Sequence, residues 1–443
     1  MADYLAQAHS YPVLPRTKPG ELIDALPRSG PEHGEPMPAI LEDFRRIIVP
    51  AATHWNHPGF MAYFATSASG PGILGEMLAA ALNMNGMLWK TSPAVVELEQ
   101  VALDWLRQWI GLPDPLFGII FDTASTSSMH AIAAARESIA PEVRTEGAGT
   151  GLVLYTSEQS HSSIEKGAIS IGIGQKNVRK IPVDTDYRML PGALAAAIEH
   201  DLAAGLRPFC VVATVGTTST TSIDPVEEIA AIAERHNLWL HVDAAYAGAA
   251  AIAPEFQHIL RGCERADSLV TNPHKWLFTP VDISVLYTRR PEILRRAFSL
   301  VPEYLRTADD PRAVNYMDYG VPLGRRFRAL KLWFVLRYYG REGLAEMIRK
   351  QIGWAQELAH QIDAHADFER TAPTPFSTVC FRLKGTDEEN RQLLERVNAS
   401  GEVFLSHTVL RGKYSLRLAI GNMQTTRQHV QRAWELVQAG AGR

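Results

Sequence analysis

Along the chain, short apolar runs alternate with stretches in which apolar residues recur every three to four positions, most steadily between Gly118 and Tyr287. Runs at 118–121, 151–155, 178–183, 209–215, 238–243, 268–271 and 284–287 read as strands bounded by turn formers. Helical spacing predicts helices over 125–138, from about Ser162, over 191–204 and over 225–236, where Val226, Ile229 and Ile232 share a face. Alternation sustained over this length predicts a mainly parallel sheet covered on both faces, an α/β fold.

On either side of that block the pattern changes. Residues 1–37 carry Pro, Gly and charge without a period and read as an extended arm. Ile40, Leu41, Phe44, Ile47 and Ile48 are helically spaced up to Pro50. A small-residue helix is expected over 71–83. Another starts at Thr91-Ser92-Pro93, with a hydroxyl cap and with Glu97 and Glu99 near the positive end of the dipole. It runs to about Ile110, where Gly111-Leu-Pro113 stops it. Residues 303–324 read as a mobile loop. A long helix over 325–364, strands at 377–383, 401–405 and 414–419, and a last helix over 425–438 make a smaller α+β region.

Composition narrows the class. Hydrophobic residues are 46% and charged residues 21%, the balance of a folded chain. A formal charge of −4 argues against nucleic acid and acidic membranes as partners. Cys210, Cys263 and Cys380 are too few and too scattered for a disulfide framework or a metal knuckle, so no metal is expected and a reducing compartment is. The N-terminus shows no signal-peptide pattern, and no window approaches ~20 uninterrupted apolar residues. A cytoplasmic protein is expected.

The chemistry centres on Leu238–Phe278. An apolar run delivers Asp243 to a strand's C-terminal end, where open α/β sheets build ligand sites. Lys275 comes later, in a turn between His274 and Trp276. An acid and a lysine so placed point to pyridoxal 5'-phosphate, with Lys275 forming the Schiff base and Asp243 facing the pyridine nitrogen. Phe121-Asp-Thr-Ala-Ser-Thr-Ser-Ser128, where a strand enters a helix, offers backbone N–H groups and the Ser125 hydroxyl to a phosphate; the competing reading is an ordinary helix cap. His161 sits at the same edge, as a ring-stacking imidazole or a structural histidine. Ala245 offers a methyl to the other ring face. The aromatic cluster from His54 to Phe64 is either a core plug or a pocket wall, and the core reading is the more common one.

Ser160-His-Ser-Ser-Ile-Glu-Lys166, His241-Val-Asp-Ala-Ala-Tyr-Ala-Gly248 and Asn272-Pro-His-Lys-Trp276 resemble the group II pyridoxal-phosphate decarboxylases, most nearly the aromatic-L-amino-acid decarboxylases. Pro322-Leu-Gly-Arg-Arg-Phe-Arg-Ala-Leu-Lys331 and Leu416-Arg-Leu-Ala-Ile420 extend the resemblance, which covers roughly Pro50 to the C-terminus. It implies a type I, aspartate-aminotransferase-like fold with a seven-stranded sheet, and a homodimer with shared active sites. It divides the chain into an arm and dimer-contacting segment (1–69), a large cofactor-binding domain (70–331) and a small C-terminal domain (332–443). Lys275, Asp243 and His161 take the roles given above, with Ala245 on the opposite ring face. Ala124, Ser125, Asn272 and His274 would hold the phosphate, and Thr218 would lie near the ring. Trp55, Tyr63, Phe64 and Thr66 resemble the substrate-pocket wall.

Tyr304 stands where family decarboxylases carry tyrosine and related aldehyde synthases carry phenylalanine. A tyrosine there can return a proton to Cα and give the amine. The chain also departs from the family. Its phosphate segment lacks the usual Gly-rich, acid-containing form, and its arm is shorter than the animal version. Asn85 and Met87 replace apolar and aromatic residues that reach the partner's pocket, and Gly324 leaves space for a larger ring. The expected activity is decarboxylation of an aromatic L-amino acid to its amine. The alternatives are oxidative conversion to an arylacetaldehyde, a non-aromatic substrate, or an inactive cofactor-binding scaffold.

Overall fold

The computed structural model describes residues 2–147, 149, 151–300 and 312–442. Its larger sheet is built from β2 (Phe117–Phe121), β3 (Leu152–Ser157), β4 (Val178–Ile181), β5 (Arg207–Thr214), β6 (Trp239–Asp243), β7 (Ser268–Thr271) and β8 (Ser284–Thr288). Their spatial order is β2-β8-β7-β6-β5-β3-β4. Neighbours among β7, β6, β5, β3 and β4 run parallel, while β8 runs antiparallel to both β2 and β7. The expected mainly parallel, seven-stranded sheet is therefore present, and its strands are apolar because both faces are covered. Val211, Val212, Leu240 and Val242 are buried in its centre.

Strand direction settles where the chemistry collects. With β8 reversed between β7 and β2, the C-terminal ends of all six other strands share one edge. The segments after β2, β3, β5, β6 and β7 carry most of the candidate residues, so the fold gathers there what the sequence scatters.

By contact density the chain forms two compact units: residues 66–359 with 372–380, and residues 1–65 with 360–371 and 381–443. A smaller sheet has the order β1-β11-β12-β10-β9, namely β1 (Phe60–Met61), β9 (Phe368–Arg370), β10 (Thr378–Leu383), β11 (Phe404–Leu410) and β12 (Lys413–Ala419), and all of it but Thr378–Cys380 belongs to the second unit. β1 and β9 escape sequence reading because two or three residues display no period. β11 begins at Phe404, beside Phe60, and not at Gly401, which takes a positive φ of 75° in a turn.

Four other expectations change. The helix expected over 325–364 spans Arg328–Asp363 and is broken at Gly340 (φ 64°, ψ 173°). The helix Pro93–Trp109 has Ser92 at its N-cap as expected, but the hydroxyl donates to the Asn85 carbonyl (2.7 Å) rather than accepting from the helix. Glu99 is not a surface acid at a dipole; it is buried and paired with Arg325 (2.7 Å). Finally, of the expected mobile loop, 316–320 is packed while 321–324 is exposed. Tyr316 is buried with the Arg325 guanidinium 4.3 Å from its ring centre, and Tyr319 stacks on Phe117 (4.6 Å).

Among the described residues no helix is long and apolar enough to cross a membrane, and no group of three or more His, Cys, Asp or Glu could hold a metal ion.

Candidate active site

Asp243 ends β6 in register with Val270 of β7 on one side and Thr214 of β5 on the other. Its side chain is buried, and Oδ1 accepts from the Ala245 backbone N–H (3.0 Å). Among the described residues it has no ion pair. A buried carboxylate without a cation is costly, and a protonated pyridine nitrogen is the partner that would offset the cost. Just past it, Ala245 packs against Ala124 and Val270, which brings β7 and the segments after β2 and β6 into one small apolar cluster.

After β7 the chain enters a single helical turn, Pro273–Trp276, that carries Lys275. Trp276 beneath it is fully buried, stacked on Tyr246 (4.6 Å between ring centres) and donating through its indole N–H to Gln351 (2.6 Å). The lysine therefore rises from a rigid base.

His161, after β3, caps the helix Ser162–Ser170: its Nδ1 accepts from the Ser163 N–H (3.2 Å) and lies 2.8 Å from the Ser163 hydroxyl. An accepting Nδ1 leaves the proton on Nε2. Desolvation lowers its pKa first, then the charges of Lys275 and Lys166, with Asp243 acting the other way. His161 is thus neutral at pH 7, within electrostatic reach of both the lysine and the acid.

The helix Ala124–Ile139 starts with no side-chain cap: Thr123, at the N-cap, makes no such bond, and Asp122 turns back to accept from the Thr123 N–H (2.6 Å). First-turn N–H groups beside an exposed Ser125 are a candidate anion site. His274 is a second candidate for the same anion. Its Nδ1 accepts from the Ile283 N–H (3.0 Å), so Nε2 bears the proton; burial, then the Lys275 charge, lowers its pKa to about 4. Nε2 faces the Asn272 amide at 3.3 Å. With the amide nitrogen there, two donors would oppose each other and the buried Oδ1 would have no partner. Exchanging nitrogen and oxygen satisfies both and frees the Asn272 NH2 to donate to a phosphate.

The remaining predicted residues divide. Thr218 is exposed in the loop after β5. That loop is anchored by buried Asp224, which sequence reading missed: it accepts from the Thr214 (2.8 Å) and Met189 (2.7 Å) N–H groups, and burial raises its pKa to about 6 against those two bonds. Asn85 and Gly324 are exposed and adjacent, since a Cβ on Gly324 would lie 3.6 Å from the Asn85 amide. Met87 is half-buried. Trp55, Tyr63 and Phe64 belong to the smaller unit, where Trp55 stacks on Phe60 (4.3 Å) and Arg417 lies over Phe64 (4.6 Å). Thr66 opens the larger unit and is half-buried. Tyr304 lies outside the described residues.

Residues 19–384 match the pyridoxal-dependent decarboxylase conserved domain. The chain is 41% identical to tyrosine decarboxylase 2 of Narcissus pseudonarcissus, over 99% of this chain and 91% of that protein. It is 42% identical to phenylacetaldehyde synthase of Arabidopsis thaliana, over 100% and 93%. Its fold superposes on the crystal structure of Oryza sativa TDC with PLP and tryptamine with a TM-score of 0.97, at 39% identity, over 100% of this chain and 95% of that one.

Proposed function

The chain belongs to the pyridoxal-dependent decarboxylase family, and from that premise we propose that it converts an aromatic L-amino acid to the corresponding amine and CO2. The observation that carries this reading is the meeting of Lys275, Asp243 and a neutral His161 at one sheet edge, beside an uncapped helix start. Similarity to a tyrosine decarboxylase and to a structure holding tryptamine supports the aromatic class. Pyridoxal phosphate would supply the electron sink for the pair that departing CO2 leaves on Cα.

The chain's own residues do the rest. Lys275 Nζ would hold the cofactor covalently, and the Asp243 carboxylate would keep a proton on its pyridine nitrogen. The His161 ring, fixed through Nδ1 by Ser163, and the Ala245 methyl would hold it from either side. The first-turn N–H groups at Ala124 and Ser125, with Asn272 and His274, would hold its phosphate, and Thr218 would border it. Tyr304 delivers its phenolic proton to Cα, which commits the reaction to the amine.

Substrate choice falls to Trp55, Tyr63, Phe64 and Thr66, and to Asn85, Met87 and Gly324 from the partner of a homodimer. Exposed Leu74, Met77, Leu78, Leu82 and Tyr338 on the larger unit support such a partner. The division into an arm (1–69), a cofactor-binding domain (70–331) and a small domain (332–443) belongs to this reading. So does a cytoplasmic location, which three buried, free cysteines support.

Likeness to phenylacetaldehyde synthase gives the second reading, oxidative conversion to an arylacetaldehyde. A panel of the twenty amino acids with dopa and 5-hydroxytryptophan, followed for CO2, amine, aldehyde and peroxide with and without oxygen, separates the two. Aldehyde and peroxide as the aerobic products overturn the amine reading. Turnover of only acidic or aliphatic amino acids overturns the aromatic one.

A further inference from the structure

His130 lies on the helix Ala124–Ile139, one turn beyond the candidate phosphate site. Its ring is fully buried between Phe121 and Phe298, with centroids 4.2 Å and 4.6 Å away. Nδ1 is 2.7 Å from the Thr126 carbonyl oxygen, and Nε2 is 3.0 Å from the Val321 backbone nitrogen. A carbonyl only accepts and a backbone N–H only donates. Both bonds therefore form only with a neutral ring protonated on Nδ1. Burial, which lowers the pKa to about 4, keeps it neutral.

The two bonds join distinct parts of the site. Thr126 belongs to the first turn of the helix, whose N–H groups would hold the phosphate. Val321 belongs to the strap 315–325, which ends at Gly324 and Arg325. The strap is also pinned elsewhere: the Trp89 N–H donates to Asn315 Oδ1 (3.0 Å), the Met317 N–H to the Met87 carbonyl (3.2 Å) and the Arg325 N–H to Asn85 Oδ1 (2.9 Å). It thereby fixes the Met87 main chain, the Asn85 amide and Gly324 together. Gly320 is tightly packed here, since a Cβ on it would come within 2.9 Å of both His130 Nε2 and the Phe121 ring.

We propose that His130 is a positioning residue that ties the cofactor-phosphate turn to the substrate wall, through the Thr126 carbonyl on one side and the Val321 N–H on the other. The proposal rests on the decarboxylase reading above. Its effect is on register: when the Val321 bond is lost, the strap shifts relative to the phosphate turn, and the wall it presents to the partner's substrate is set at the wrong distance.

The test compares the parent holoenzyme with His130→Gln, His130→Asn and Val321→Pro. Glutamine Oε1 extends to about where Nε2 sits and accepts from Val321; asparagine reaches only Thr126. His130→Gln is expected to stay within about threefold of the parent KM, and His130→Asn to raise it about tenfold with a smaller change in kcat. The two variants should share a thermal midpoint, so a merely structural role would not part them. Equal KM values in both variants, whether parental or raised in step with the midpoint, overturn the proposal.

Val321→Pro removes the N–H without touching the histidine. The Val321 side chain is 69% exposed, and Gly320 before it is extended (φ −168°, ψ 173°), as a following proline requires. It is expected to raise KM about tenfold as well; if His130→Asn does not fold, a parental KM in Val321→Pro alone overturns the proposal. A parent that binds pyridoxal phosphate but turns over no aromatic amino acid defeats the decarboxylase reading instead. The same variant order is then expected in the cofactor dissociation constant, and its absence there overturns the positioning role.

Discussion

Glu99→Ala should cost the larger unit more stability than the loss of any exposed ion pair, because of where its carboxylate ends. Glu99 is 1% exposed, and its Oε1 accepts from both the Ile120 N–H (2.9 Å) and Arg325 Nη2 (2.7 Å). The same Nη2 donates to the Ile120 carbonyl (2.8 Å), and the guanidinium lies over Tyr316. Removing one partner of a buried pair costs about 3–5 kcal/mol, because the other charge stays buried. The orphaned Ile120 N–H would add about 1–3 kcal/mol if counted alone. Both figures describe the same oxygen, so the expected loss is about 4 kcal/mol and not their sum. Glu99→Gln keeps one acceptor and should lose about 2 kcal/mol. Thermal unfolding of the holoenzyme should show Glu99→Ala lowering the midpoint by on the order of 5–10 °C. The double variant with Arg325→Ala should cost less than the two singles together, by about 2 kcal/mol. A loss under about 1 kcal/mol, or strict additivity, would refute the reasoning and reduce this pair to the standing of a surface contact.

Lys275→Ala is expected to abolish turnover and the visible absorbance of bound cofactor while the far-UV circular dichroism stays parental; a persisting band would sink the lysine's assignment. Tyr304→Phe should divert product from amine to aldehyde with ammonia and peroxide, but only when oxygen is supplied, and unchanged amine yield would remove the tyrosine from the proton step. Acid should destabilise the fold in a defined window. Burial lowers His130, His241 and His274 from 6.5 to about 4 each. The unfolded chain therefore takes up protons near pH 6.5, whereas the folded chain stays neutral there until about pH 4. Stability from these rings is complete above pH 6.5 and is lost as pH falls through that interval, by up to about 3 kcal/mol per ring at its acid end. Urea midpoints measured from pH 7.5 to 4.5 should decline only below 6.5, and a flat profile would contradict the burial of these rings.

The sheet and the placing of Asp243 and Lys275 were legible because both obey local rules. A buried parallel strand must be apolar along its length, and the residues just past its C-terminal end lie at the ligand edge. Register then does what spacing alone cannot: Asp243 stands opposite Val270, and the chain reaches Lys275 one turn beyond it. The groups that hold these residues in place were not legible, for the same physical reason in each case. Periodicity reports which face of an element is buried, not which polar groups meet inside. Glu99 is joined to Arg325 from 226 residues away, and His130 to Val321 from 191. On a helix, Glu99 reads as a dipole acid and His130 as one more core position. Only the folded chain shows that each is satisfied by the strap 315–325.

Part of that strap also reads as a loop, because Pro and Gly break its period. Yet its main chain pins Met87 and its Tyr316 ring covers the Arg325 guanidinium. The sequence signature of mobility, an absence of period, is shared by segments fixed through irregular hydrogen bonding. The residues legible in the sequence are thus the ones proposed to touch cofactor and substrate. The illegible ones set the distances between them; the variants of His130 and Val321 test those distances, and the variants of Glu99 test the buried pair behind them, rather than the chemistry.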